Sequence, residues 1–118
     1  MADKLAKATQ TINGTITPIT GISFESTICK RYGDCVYIYL ATGGSMPLSL
    51  TKSYTQIATI PEGFRPPSTI IRTCILYDED GRNRTEALIQ FGYNGFISIA
   101  ALSNGTYGFL RGECSFII

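Results

Sequence analysis

Residues 54–71 read YTQIATIPEGFRPPSTII. Tyr54–Ile60 is rich in β-branched residues and predicts a strand. Pro61 has no N–H to give to a ladder and ends it. Gly63 permits a positive φ in the turn that follows. Pro66-Pro67 is stiff and extended, and Pro66 also restricts Arg65 to an extended conformation. A second strand is predicted from about Ser68. The unit is strand, rigid corner, strand, which is the punctuation of a β protein.

On the N-terminal side, Ile22–Tyr32 and Cys35–Thr42 predict a hairpin around the two-residue turn Gly33-Asp34. Val36, Ile38 and Leu40 share one face of its second strand, and Cys35, Tyr37 and Tyr39 the other. Both faces are rather apolar, as in a sandwich strand covered on each side. Gly43-Gly44-Ser45 and Pro47 break the strand. Further back, Thr11–Thr20 suggests short extended pieces or a linker, and Ala2–Thr9 has only a weak helical periodicity. Residues 1–20 are accordingly read as an arm or linker and 21–118 as a single domain.

On the C-terminal side, Thr69–Tyr77 is an unbroken strand. Asp78–Arg84 (DEDGRNR) is the most polar stretch and predicts an exposed loop. Glu86–Gly92 and Phe96–Ala101 form a hairpin. They are joined by Tyr93-Asn94-Gly95, in which Asn94-Gly95 is a type I′ signal; that register puts Tyr93 opposite Phe96, Phe91 opposite Ser98 and Ile89 opposite Ala100. Leu88, Gln90, Ile97, Ile99 and Ala101 then lie on the other face, so both faces carry large apolar groups. Thr106–Leu110 and Cys114–Ile118 read as two last strands separated by Arg111-Gly112. About eight short strands with Gly, Asn and Pro turns predict an antiparallel β-sandwich, jelly roll or small barrel.

Composition narrows the function. The chain has 118 residues, enough for one domain with a modest core. Apolar residues make up 44 % and charged ones 16 %, against about 25 % charged in typical domains. So little charge predicts that uncharged surface is covered by other subunits; a Ser/Thr/Asn-rich soluble surface is the alternative. Ten Lys/Arg against nine Asp/Glu, a net charge of +1 and no basic block argue against nucleic-acid binding. No apolar run approaches the roughly 18 residues of a membrane span. Met1–Gln10 has no signal-peptide core, which predicts synthesis in a cytoplasm. Four cysteines could mean two disulfides, but Cys29, Cys35, Cys74 and Cys114 fall in strand-like runs without an export signal and are read instead as four buried thiols acting as small hydrophobes.

Two motifs carry a resemblance. Ile57-Ala58-Thr59-Ile60-Pro61-Glu62-Gly63-Phe64-Arg65-Pro66 resembles the I-A-T-L-P-x-G-Y-R-P segment of C-terminal head domains in tail-fibre and receptor-binding (baseplate) proteins. These belong to bacteriophages and prophages of Gram-positive hosts. Leu88–Ile99 is similar to the hairpin that follows in that family. The resemblance covers about Gln56–Ile118. It implies a homotrimeric β-sandwich or jelly roll in the virion that attaches to host cell-surface saccharide and contacts other tail proteins. A purely structural baseplate or capsid-decoration protein is the alternative.

Catalytic chemistry is poorly represented. There is no His, which removes Ser-His-Asp, Cys-His and His-metal sites. Glycoside cleavage needs two acids about 5–10 Å apart across a cleft, whereas Asp78, Glu79 and Asp80 are consecutive. Asp78-x-Asp80-Gly81-x-Asn83 lacks the spacing of a calcium loop. Asn13-Gly14-Thr15, Asn83-Arg84-Thr85 and Asn104-Gly105-Thr106 match the glycosylation pattern but are read as turns or loop. No cofactor or enzyme activity is expected.

A saccharide site follows from topology. If the strands after Ser68 run up and down in succession, the 78–84 and 102–105 loops share one end. That rim gathers Asp78, Asp80, Arg82, Asn83, Arg84, Ser103 and Asn104. Carboxylates, amides and Arg suit sugar hydroxyls, and Tyr77 or Tyr107 would supply a flat aromatic face. A plain solvated rim is the competing reading.

Overall fold

The computed structural model describes residues 10–43 and 47–118. The helical periodicity of Ala2–Thr9 and the break at Gly44-Ser45 lie outside these residues. Ten strands are present among them: β1 Thr11–Asn13, β2 Thr17–Pro18, β3 Ser26–Tyr32, β4 Cys35–Thr42, β5 Leu48–Leu50, β6 Thr55–Thr59, β7 Ile70–Asp78, β8 Arg84–Phe91, β9 Phe96–Ala100 and β10 Gly105–Ile117. All pairings are antiparallel. The fold is all-β, as the strand patterning predicts.

The strands form one sheet in the order β1-β3-β4-β10-β7-β8-β9-β6-β2, with β5 also on β10. The opposite edges, β1 and β2, are consecutive in the chain. Four Cα steps separate Asn13 from Thr17, which span at most about 14 Å. The sheet must therefore curl until its two edges nearly meet. Ile16, in the bridge, is buried with the core. Thr11–Asn13 and Thr17–Pro18 thus belong to the sheet.

The interior collects the alternate residues of each strand. Val36, Ile38 and Leu40 from β4, Leu76 from β7, Ile89 and Phe91 from β8, Ile97 and Ile99 from β9 and Leu110 from β10 are almost fully buried. On the opposite face of β4, Cys35 is exposed while Tyr37 and Tyr39 are half-buried. One thiol of the four is therefore on the surface, because Cys35 pairs with Tyr32 and Ile117 on the outer face. All four cysteines are free.

The Pro61–Pro67 corner closes one end. Phe64 N–H donates to Pro61 O (3.2 Å) and Gly63 has φ +89°. The turn swings the Phe64 ring inward, where it abuts Gly14 and belongs to the buried core. Arg65 Nε donates to Ile60 O (2.9 Å), and Arg31 Nη1 reaches from β3 to Gly63 O (2.9 Å). The I-P-E-G-F-R-P motif is structural: it ties β6 back to β3 across the curl.

Two further expectations are corrected. The β8–β9 register is shifted by one: Phe91 faces Ile97, Gln90 faces Ser98 and Ile89 faces Ile99. Tyr93-Asn94-Gly95 is a three-residue loop, closed by Gly92 N–H to Phe96 O (2.8 Å) and Gly95 N–H to Gly92 O (2.9 Å). Only Gly95 has positive φ, so a type I′ turn at Asn94-Gly95 is absent. The shift gathers Ile89, Phe91, Ile97 and Ile99 on one inner face, which burial favours. Arg111-Gly112 is not a turn either. β10 runs unbroken over 13 residues. A Cβ on Gly112 would lie 3.0 Å from Ile89 Cδ1 and 3.4 Å from Cys74 Cβ. This glycine marks close packing inside a strand rather than its end.

Candidate functional site

β7, β8 and β9 are successive antiparallel neighbours. The loops after β7 and after β9 therefore lie at the same end of the sheet, as the up-and-down reading required. Tyr107 at the start of β10 pairs with Asp78 at the end of β7, which brings the two loops together.

The rim residues divide by what they already bind. Asp78 Oδ1 accepts the Arg82 N–H (2.9 Å) and Oδ2 the Asn83 side-chain amide (2.6 Å). Its backbone exchanges further bonds with Gly81 and Asn83. Desolvation pushes the Asp78 carboxyl up, but hydrogen bonding to the carboxylate from the Arg82 backbone, the Asn83 side chain and the Asn83 and Gly81 backbone outweighs it and holds it below the usual carboxylate value. Asp78 and Asn83 thus brace the hairpin loop. Tyr107 Oη donates to Ser103 O (2.7 Å), and Asn104 Oδ1 accepts the Lys52 N–H (3.1 Å). Ser103, Asn104 and Tyr107 brace the second loop. Asp80, Arg82 and Arg84 are exposed. Their side chains make no hydrogen bond or ion pair among the described residues.

Tyr77 belongs to a second surface that the rim reading missed. It pairs with Phe109 on β10 and Arg84 on β8. Directly paired residues project from the same face. The Tyr77 and Phe109 rings meet edge to face, 6.5 Å between centroids at 88°. Together with Gly81 and Arg111 they line a cleft of about 310 Å³. A second cleft of about 340 Å³ is lined by Tyr39, Thr73, Cys74, Ile75, Arg111, Gly112 and Glu113. Arg111 borders both.

This surface is pinned by cross-strand bonds. Arg111 Nη1 donates to Tyr39 Oη (3.2 Å), and Tyr37 Oη donates to Glu113 Oε2 (2.6 Å). The bond to Glu113, with smaller contributions from desolvation and neighbouring charge, pushes the Tyr37 phenol up to about 12. The available signal for these residues was the alternation Phe109-x-Arg111-x-Glu113, which puts all three on one face. Reading Arg111-Gly112 as a turn hid it.

No protein-family profile matches the chain, and no curated protein sequence matches it. Among solved structures it is similar to the crystal structure of the head domain of phage bIL170, which was discussed in terms of a common fold for the receptor-binding domains of lactococcal phages. The alignment covers 92 % of this chain and 99 % of that one, with a TM-score of 0.67 and 14 % identity. Over nearly the whole of both chains, the curled sheet described above thus shares its fold with that head domain.

Proposed function

We propose that this chain is the head of a phage receptor-binding or tail-fibre protein, attaching the virion to host cell-surface saccharide without catalysis. The observation that carries this reading is the fold likeness to the bIL170 head, which spans nearly all of both chains. The loop rim adds chemical support. Asp80, Arg82 and Arg84 supply donors and acceptors suited to sugar hydroxyls beside the half-buried Tyr77 ring.

The head works as a homotrimer in contact with other tail proteins. Ile71 and Leu88 are each nearly half exposed and Leu102 is 67 % exposed. This apolar surface is of the kind that subunit assembly covers.

Labelled protein applied to a panel of Gram-positive cells tests the reading. Saturable binding, competed by polysaccharide extracted from the bound strain, is the expected result. A folded protein that ignores every cell yet binds virion baseplate proteins would establish the structural alternative instead. Solution mass by light scattering should be three times that of the chain.

A further inference from the structure

We propose that the saccharide lies along the outer face of β10 as a chain of at least two rings, its linkage crossing Arg111. The inference rests on the saccharide-binding reading above and names both the place and the size of ligand.

Two clefts of about 310 and 340 Å³ adjoin at Arg111. Each is near the lower end of the roughly 300–1,000 Å³ that holds a small ligand. Each suits one ring, and the pair suits two linked rings.

The clefts differ in chemistry. In the first, Tyr77 and Phe109 present an aromatic wall to the C–H face of a ring. In the second, Glu113 and the Tyr39 hydroxyl offer polar partners to ring hydroxyls. Tyr37 holds Glu113 by Oε2, which leaves Oε1 to accept from a sugar. Arg111 is oriented by Tyr39 and makes no ion pair among the described residues. Its remaining N–H donors sit where two rings would join.

All of these side chains stand on paired strands, not on loops. Their bonds to neighbours fix rotamers before a ligand arrives, which lowers the entropy cost of binding.

The test uses calorimetry with one-, two- and three-ring fragments released from the cell-wall polysaccharide of a strain that the protein binds. Wild type is compared with Phe109→Ala, Arg111→Lys, Glu113→Gln and the rim double variant Asp80→Ala/Arg82→Ala, each checked for folding by circular dichroism. Two-ring fragments should bind at least about tenfold tighter than one-ring fragments. Glu113→Gln and Phe109→Ala should each weaken binding by about tenfold. Arg111→Lys keeps the charge but not the planar fork, and should weaken it similarly. Should Phe109→Ala misfold, the two conservative variants decide alone.

Equal affinity for one and two rings would overturn the proposal. So would unchanged binding by folded Arg111→Lys and Glu113→Gln alongside loss in the rim variant; the head would then remain saccharide-binding, through its rim. A wild-type protein that binds no cell and no fragment removes the saccharide reading itself.

Discussion

Arg65 lies over Gly95. Its Cζ stands 2.7 Å from the point that a Cβ on residue 95 would occupy. Gly95 also has φ +91°, and Ile60 N–H donates to its carbonyl (2.7 Å). The rigid corner after β6 and the loop between β8 and β9 are thereby locked to each other.

Gly95→Ala should destabilise the fold by about 2 kcal/mol, through both the unfavourable φ and the clash with Arg65. Arg65→Ala in the same background should recover part of that loss, because only the clash is relieved. Urea midpoints of the four members of the cycle measure the coupling. Additive effects would mean that the two residues do not meet.

Gly112→Ala should cost about 1–3 kcal/mol, since Ile89 and Cys74 leave little room for a methyl group. Gly112 is not among the positive-φ glycines, so the cost would come from packing alone. An unchanged melting temperature would contradict the packing of β10 described above.

One thiol should react quickly with a disulfide reagent under native conditions. Cys35 is exposed, whereas Cys29, Cys74 and Cys114 are buried. Desolvation pushes the Cys29 thiol up to about 11 and Cys74 up to about 12, further suppressing their thiolates. Cys35→Ser should abolish the fast phase. Two or more fast thiols would place another cysteine at the surface.

Stability should fall as pH rises above about 9. Cys29 and Cys74 keep their protons to about 11 and 12 in the folded chain, against 9.0 for an unperturbed thiol. The native state therefore binds more protons than the unfolded state across that window, and unfolding becomes easier with each increment of pH. Cys74→Ala should flatten the slope even while lowering stability at neutral pH. Urea midpoints between pH 8 and 11 provide the measurement.

Tyr37 should ionise well above the usual tyrosine value, because its hydroxyl donates to Glu113 and is pushed up to about 12. In Glu113→Gln the negative acceptor is gone and the phenol should titrate earlier. Absorbance titration of the two proteins checks this. Identical curves would argue against the hydrogen bond.

The fold class was legible because alternation and turn chemistry are local. Pro61, Gly63 and the Pro66-Pro67 pair marked the corner correctly, and Gly33-Asp34 marked the first hairpin turn. One error came where a glycine served packing instead of turning. Gly112 is small because Ile89 sits against it, a fact about β8 that no window around residue 112 contains. The β8–β9 register failed because Asn94-Gly95 suits two loop lengths, and burial of Ile97 with Phe91 chose between them. The rim's location followed from the up-and-down strand order. Its chemistry did not: the loop-bracing bonds of Asp78 and Asn83 depend on side-chain directions that the strand order leaves open. Phe109, Arg111 and Glu113 stayed hidden because they belong to a strand that had been cut in two.

β10 also bears on how the chain is made. It joins β4 and β5 on one side to β7 on the other, yet it follows all three in the sequence. The β3–β4 hairpin and the β7–β8–β9 meander pair only near neighbours and can form as they emerge from the ribosome. Until residues 105–117 arrive, the two pieces have no common strand, and each shows an unpaired edge beside half of an apolar interior. Completion of the sheet is therefore a single late event. Lesions that slow or block the insertion of β10 should lower soluble yield more than their equilibrium cost in stability suggests.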